Sequence, residues 1–134
     1  MHIVHIVTRL LRAGSEENTI STCVHQANAG HRVTLVHGAE FDPFWYDAQF
    51  EGIELIGLPE MVHPVNIAQD LRAYFQLKKL YRNLKPDAIH THQSKAGILG
   101  RLAAKAVPNA IVVHGIHILS WEGRGTTQHR LFIL

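Results

Sequence analysis

A single cysteine, Cys23, stands among 134 residues, so no disulfide can close within the chain. Nothing therefore calls for an oxidising compartment, and a reducing cytoplasm is the expected setting, with Cys23 serving the packing. No stretch approaches the roughly 20 apolar residues of a membrane span. The apolar opening at 1–7 is too short for the core of a signal peptide and has neither a basic leader nor a small-residue cleavage site. Charge of one sign is also scarce: 13 Lys and Arg against 11 Asp and Glu leave a formal +2, which gives no reason to expect a nucleic-acid partner. Neither G-x-G-x-x-G nor G-K-[ST] occurs, which disfavours a dinucleotide-dependent oxidoreductase and a P-loop enzyme. No Ser-His-Asp or Cys-His signature surrounds Cys23, so nucleophilic catalysis is not expected.

What is present is an ordinary globular mix, 46% hydrophobic and 18% charged, at the length of one domain. The β-branched run at 2–7 reads as a buried strand that meets a loop containing Gly14. Ser15 is placed to cap the following helix, Glu16 and Glu17 suit its positive first turn, and Gly30 stops it after Ala29. Residues 32–37 alternate as a second strand, expected to lie parallel beside the first because β-α-β crossovers are right-handed. The aromatic and acidic stretch at 38–52 reads as a loop with one helical turn, and 53–58 as a third strand ended by Pro59. Ile67, Leu71, Tyr74, Leu77, Leu80 or Tyr81, and Leu84 recur every three to four residues, the mark of an amphipathic helix that Pro86 ends. A fourth strand at 88–91, a helix at 95–106 with Ser94 as its cap, and a fifth strand at 110–114 follow. Residues 128–134 open another helix whose apolar last four residues suggest that further chain follows. Regular alternation of strand and helix implies a Rossmann-like α/β fold: a parallel sheet with helices on both faces and ligand sites beyond the strands' carboxyl ends.

The loop at 8–17 leads into a helix N-terminus, where free amides and the helix dipole favour an anion; a plain tight turn explains the same residues. Eleven histidines invite a metal reading. His90 and His92 share one strand face, with His114 and His117 on the neighbouring strand end, but Asp87 is the only acid near them, so hydrogen-bonding roles at a cleft are favoured over a metal. The segment 92–101 starts a helix directly from a strand and sets the Ser94 hydroxyl and the Lys95 amine beside first-turn amides. Gly97 and Gly100 each cost about 1 kcal/mol in a helix relative to alanine, which points either to close packing or to ligand approach. Lys78, Lys79, Arg82 and Lys85, then Arg101 and Lys105, form a basic face suited to an anionic surface or simply to water.

Three segments in order resemble the N-terminal domain of family-4 glycosyltransferases, the retaining GT-B enzymes of cell-surface polysaccharide, lipopolysaccharide and glycolipid synthesis. They are 2–16 with its Gly14-Ser15-Glu16 loop, 30–36, and the His90-Thr-His-Gln-Ser-Lys-Ala-Gly97 run continued by Gly100-Arg-Leu-Ala-Ala104 and Val112-Val-His-Gly-Ile-His117. Ala13 stands where the family often has its first loop glycine, and Ile118 where a glycine usually follows the second histidine. The resemblance implies that Gly14, Ser15 and His117 face a nucleotide-sugar donor, and that Ser94 and Lys95, with His92 behind them, shape the pocket of a glycan or lipid-linked acceptor. It implies no cofactor and no metal requirement, and a cytoplasmic enzyme able to touch the inner face of the membrane peripherally. It also implies that residues 1–134 form the acceptor-side half, that the donor-binding C-terminal domain lies outside this chain, and that the chain alone is inactive. The alternative is a stand-alone Rossmann-like binding or regulatory module without catalysis.

Overall fold

A computed structural model describes residues 1–115. Five strands form one wholly parallel sheet in the order β3-β2-β1-β4-β5. In chain order the elements are β1 (His2–Val7), α1 (Gly14–Asn28), β2 (Arg32–His37), α2 (Phe44–Asp47), β3 (Ile53–Gly57), α3 (Ile67–Leu84), β4 (Ala88–His92), α4 (Ser94–Ala103) with a 3-10 turn at Ala104–Ala106, and β5 (Ile111–Gly115). The expected α/β architecture is thus observed. The second strand lies parallel to the first, and the helical turn expected within 38–52 is α2. The extension at 128–134 lies outside the described residues.

Because successive side chains on a strand face opposite ways, β1, β2 and β3 each contribute to two cores. Val4, Ile6, Val36 and Ile89 pack beneath α3 and α4 against Ala73, Leu77, Tyr81, Ala96 and Leu99. Val7 and Leu35 pack on the other face with Ile20 of α1, Leu10 and Trp45. Cys23 lies fully buried in α1, where loss of water raises its thiol pKa to about 12, so its place is structural, as expected.

Two helix starts differ from the expected capping. The N-cap of α1 is Ala13, with no side-chain cap. Ser15 instead donates its hydroxyl to Glu16 Oε1, while Glu16 Oε2 accepts from the Leu11 amide at 3.2 Å. A buried carboxylate therefore organises this turn. The N-cap of α4 is Gln93, again without a side-chain cap, and Ser94 is the first helical residue. Serine leads cap preference on average, but here a neighbouring acid and a backward-reaching amide take the chain's local hydrogen bonds. In contrast, α3 has a regular cap, the Asn66 side chain accepting from the Gln69 amide at 3.1 Å.

The two glycines of α4 are there for packing. A Cβ on Gly100 would press on the Thr91 methyl at 2.6 Å and on the Tyr81 hydroxyl at 3.2 Å, and one on Gly97 would meet the His114 ring. Their absence of side chains lets α4 sit down on β4 and β5, so the packing alternative accounts for both positions.

Candidate functional site

In a parallel sheet every carboxyl end points to the same edge. That edge collects the loop at 8–13 after β1, the loop at 38–43 after β2, and Gln93 with the start of α4 after β4.

Reciprocal bonds stitch the first and last of these together. Gln93 Oε1 accepts from the amides of Thr8 at 3.0 Å and Arg9 at 3.2 Å. Thr8 Oγ1 in turn accepts from the Ala96 amide at 3.0 Å, in the first turn of α4. Gln93 makes this reach from a left-handed backbone, φ 69° and ψ 173°, a conformation costing a residue with a Cβ on the order of 1–3 kcal/mol. Nothing in the local sequence marks Gln93 as special; its role depends on β4 lying next to β1. The loop after β2 joins the same edge through Gly38, whose amide donates to the Thr8 carbonyl at 3.1 Å, and Leu10, whose amide donates to the Glu40 carbonyl at 3.1 Å.

The residues singled out from the sequence occupy different environments. Gly14 is exposed at the head of α1, and a Cβ there would meet nothing within 4 Å. Ser15 is half-buried and committed to Glu16. Ser94 is exposed at the head of α4. Lys95 is largely covered: its ammonium bonds Asp70 Oδ1 of α3 at 2.7 Å and also the Pro64 carbonyl, so it bridges two helices. His92 is buried under the edge, its Nε2 3.0 Å from His5 Nδ1. His117 lies outside the described residues. The structure thus brings Ser94, Lys95 and His92 together around the start of α4, with Gln93 between them, and sets Gly14 and Ser15 at the head of another helix.

The histidines separate by strand parity. His90 and His92 share the α1 face with His5, the Cα partner of His90 on β1. His114 is the partner of Thr91 and takes the opposite face, its Nδ1 2.8 Å from Thr91 Oγ1. His114 therefore does not join the pair that neighbouring strand ends suggested. Asp87 is likewise engaged elsewhere, its Oδ2 accepting from the His2 amide at 2.6 Å.

His37 closes β2 at this edge. Its Nδ1–H donates to the Gly38 carbonyl at 2.7 Å, leaving Nε2 to accept from the Tyr46 hydroxyl. Burial holds its pKa below the ordinary 6.5, with the Gly38 carbonyl partly opposing that shift. Since the unfolded chain binds this proton more readily, His37's contribution to stability is intact above about pH 6.5 and declines as pH falls through the folded value. Urea-unfolding midpoints measured from about pH 8 down to about pH 5 are expected to drop in the native sequence and to drop less in His37→Gln. Equal pH dependence in the two proteins would rule His37 out as a source.

Residues 12–133 match the sequence profile of the family described as Glycosyltransferase Family 4. Over 72 residues, 54% of this chain, the sequence is 33% identical to the UDP-Gal:alpha-D-GlcNAc-diphosphoundecaprenol alpha-1,3-galactosyltransferase of Escherichia coli, of which the match covers 19%. Among solved structures, the chain resembles a glycosyltransferase from Rickettsia africae with a TM-score of 0.70 at 18% identity, covering 95% of this chain and 32% of that one. MurG of Acinetobacter baumannii gives 0.67 at 14% identity, covering 96% and 39%. The UDP-GlcNAc 2-epimerase of Methanocaldococcus jannaschii gives 0.64 at 14% identity, covering 98% and 36%. At these identities the structures speak for the fold, which transferases and epimerases share. The chain spans about a fifth of the length of the galactosyltransferase and about a third of each structural neighbour.

Proposed function

Because this chain belongs to Glycosyltransferase Family 4, we propose that it forms the acceptor-side domain of a retaining enzyme that moves a sugar from a nucleotide-sugar to a glycan or lipid-linked acceptor. The match over residues 12–133 carries the reading. The sequence relative supports its finer form, a UDP-sugar donor and an acceptor joined to a lipid through a diphosphate; we place that transfer in polysaccharide or lipopolysaccharide synthesis. Transfer depends on holding donor and acceptor in one geometry and on stabilising the departing nucleotide diphosphate. Here exposed Ser94, at the head of α4 beside the stitched edge of Thr8 and Gln93, offers a hydroxyl to an acceptor. Gly14, with no atom near its missing Cβ, leaves the α1 head open to a donor phosphate. Lys95, tied to Asp70, holds the acceptor wall in shape, and His92 supports it from below; His117 is assigned to the donor side. A donor-binding domain completes the cleft, the isolated chain is inactive, and the transfer uses no cofactor or metal.

The outer side of α3 and α4 supports a peripheral contact with anionic lipid on the cytoplasmic face, where a lipid-linked acceptor is presented. No helix among the described residues is long and apolar enough to cross a membrane. Ile67, Leu71, Phe75 and Ile98 are exposed there, with Lys78 lying over the Tyr74 and Phe75 rings.

One set of assays tests this reading. The product of the full reading frame is expected to transfer galactose from UDP-galactose onto GlcNAc-diphosphoundecaprenol in anionic vesicles, with the anomeric configuration retained, and to float with those vesicles at low salt. The 134-residue chain alone should not transfer. Gly14→Ala should leave thermal unfolding unchanged while raising the KM for donor. Transfer by the chain alone would refute the division into two domains, and activity independent of any nucleotide-sugar would refute the family function.

A further inference from the structure

Beneath the stitched edge, on the face of the sheet covered by α1, three imidazoles meet. His5 and His92 are buried and His90 is half-buried, and each can present a ring nitrogen within 4.8 Å of the other two. We propose that His5, His90 and His92 bind a borderline divalent transition metal of the Zn2+ or Co2+ type, as a structural ion that pins β1 to β4 and takes no part in glycosyl transfer.

Ligand chemistry, spacing and outer support each favour this. Imidazole suits Zn2+, Co2+, Ni2+ and Cu2+, and three histidines with one open position for water form a recognised tetrahedral set. His5 Nδ1 and His92 Nε2 are 3.0 Å apart, close to the edge of about 3.3 Å that metal–nitrogen bonds of 2.0–2.1 Å give in a tetrahedron. On its far side, His5 Nε2 lies 2.7 Å from Gln26 Oε1 of α1. Donation of Nε2–H to that carbonyl fixes the tautomer of His5 and turns the Nδ1 lone pair toward His92, as an outer partner does for a metal-bound histidine.

The three rings are now loosely stacked, His90 on His92 with centroids 4.1 Å apart and His5 on His92 at 5.3 Å. Convergence on one ion therefore requires turning about the Cβ–Cγ bonds, for which histidine has a broad, shallow preference. The 3.0 Å contact is a hydrogen bond in which His92 Nε2–H donates to His5 Nδ1, so for His92 to ligate through Nε2 its proton must move to Nδ1. Half-burial of His90 gives the ion a route in from solvent.

The test adds Co2+ and Zn2+ separately to the 134-residue chain. The expected result is one Co2+ per chain with the visible bands of a four-coordinate nitrogen site, displaced by Zn2+ and lost on acidification as the imidazoles protonate. Zn2+ should also raise Tm. His90→Gln should abolish the cobalt bands, and Gln26→Leu should weaken binding by about 10–100-fold. His31→Gln should bind as before; it removes the imidazole that lies 3.2 Å from the Met1 amine, the surface pair best placed to trap metal adventitiously. On the unaltered chain, one equivalent of Zn2+ should shift the ring resonances of His5, His90 and His92 and leave those of exposed His25 and His63 in place. Persistence of the bands in folded His90→Gln, their loss in His31→Gln, or unmoved resonances of the three histidines would overturn the assignment. Transfer activity is not the readout, so the outcome stands apart from the proposed function.

Discussion

Gly38→Ala is expected to destabilise the domain by about 3 kcal/mol or more, enough to leave a marginal protein largely unfolded. The added Cβ would fall inside contact distance of two backbone oxygens, those of Thr8 and Met61, and neither can turn away as a side chain can. Both oxygens are already committed, the Thr8 carbonyl to the Gly38 amide at 3.1 Å and the Met61 carbonyl to the Ala39 amide at 2.9 Å. Relief would require separating the ends of β1 and β2 or displacing the segment before α3, with loss of those bonds. Gly57→Ala provides the contrast, since its Cβ would meet the His37 ring at 3.3 Å and a small ring movement suffices. Urea unfolding of the two variants should differ by at least about 2 kcal/mol; a difference near zero would show that the crossing at Gly38 is looser than described.

Gln93 should give the second large effect, with a diagnostic order among its variants. Gln93→Ala removes the acceptor for the Thr8 and Arg9 amides and should cost about 2 kcal/mol through those lost bonds alone, because the strain of a Cβ at φ 69° is common to both proteins. Gln93→Gly loses the same bonds yet adopts this backbone freely and should be more stable than the alanine variant by about 1–3 kcal/mol. Measured transfer by the full-length protein should fall in both, because the loop after β1 loses its tether in both. Alanine matching glycine in stability would refute the strain, and glycine with undiminished transfer would refute the tether's importance to the site.

The order and ends of most elements were legible locally because their causes are local. The β-branched run of β1 and the three-to-four-residue spacing of Ile67, Leu71, Tyr74, Leu77, Tyr81 and Leu84 are read along the chain, and Pro59 and Pro86 mark stops. What escaped depends on neighbours distant in sequence. Ser15 and Ser94 look like caps until Glu16 and Gln93 are seen taking the bonds that organise each turn. Lys95 looks like a free amine at a cleft, but α3 packs against α4 and brings Asp70 to it. His90 and His92 are visible as a pair from period two alone, whereas His5 joins them only once the strand order sets β1 beside β4. Gly97 and Gly100 carried a true signal of closeness, and the sheet supplied the other surface.

The exchange between Thr8 and α4 has a mechanical side. Gln93 grips the amides after β1 while Thr8 grips the amide of Ala96, so neither loop can shift without the other. Two loops clasped in this way behave as a single rigid ledge. A ligand pressing on one is resisted by both, and its fit has to come from its own flexibility or from whatever part of the cleft faces the ledge. On the proposed two-domain reading, this domain would be the anvil and the facing domain the moving part.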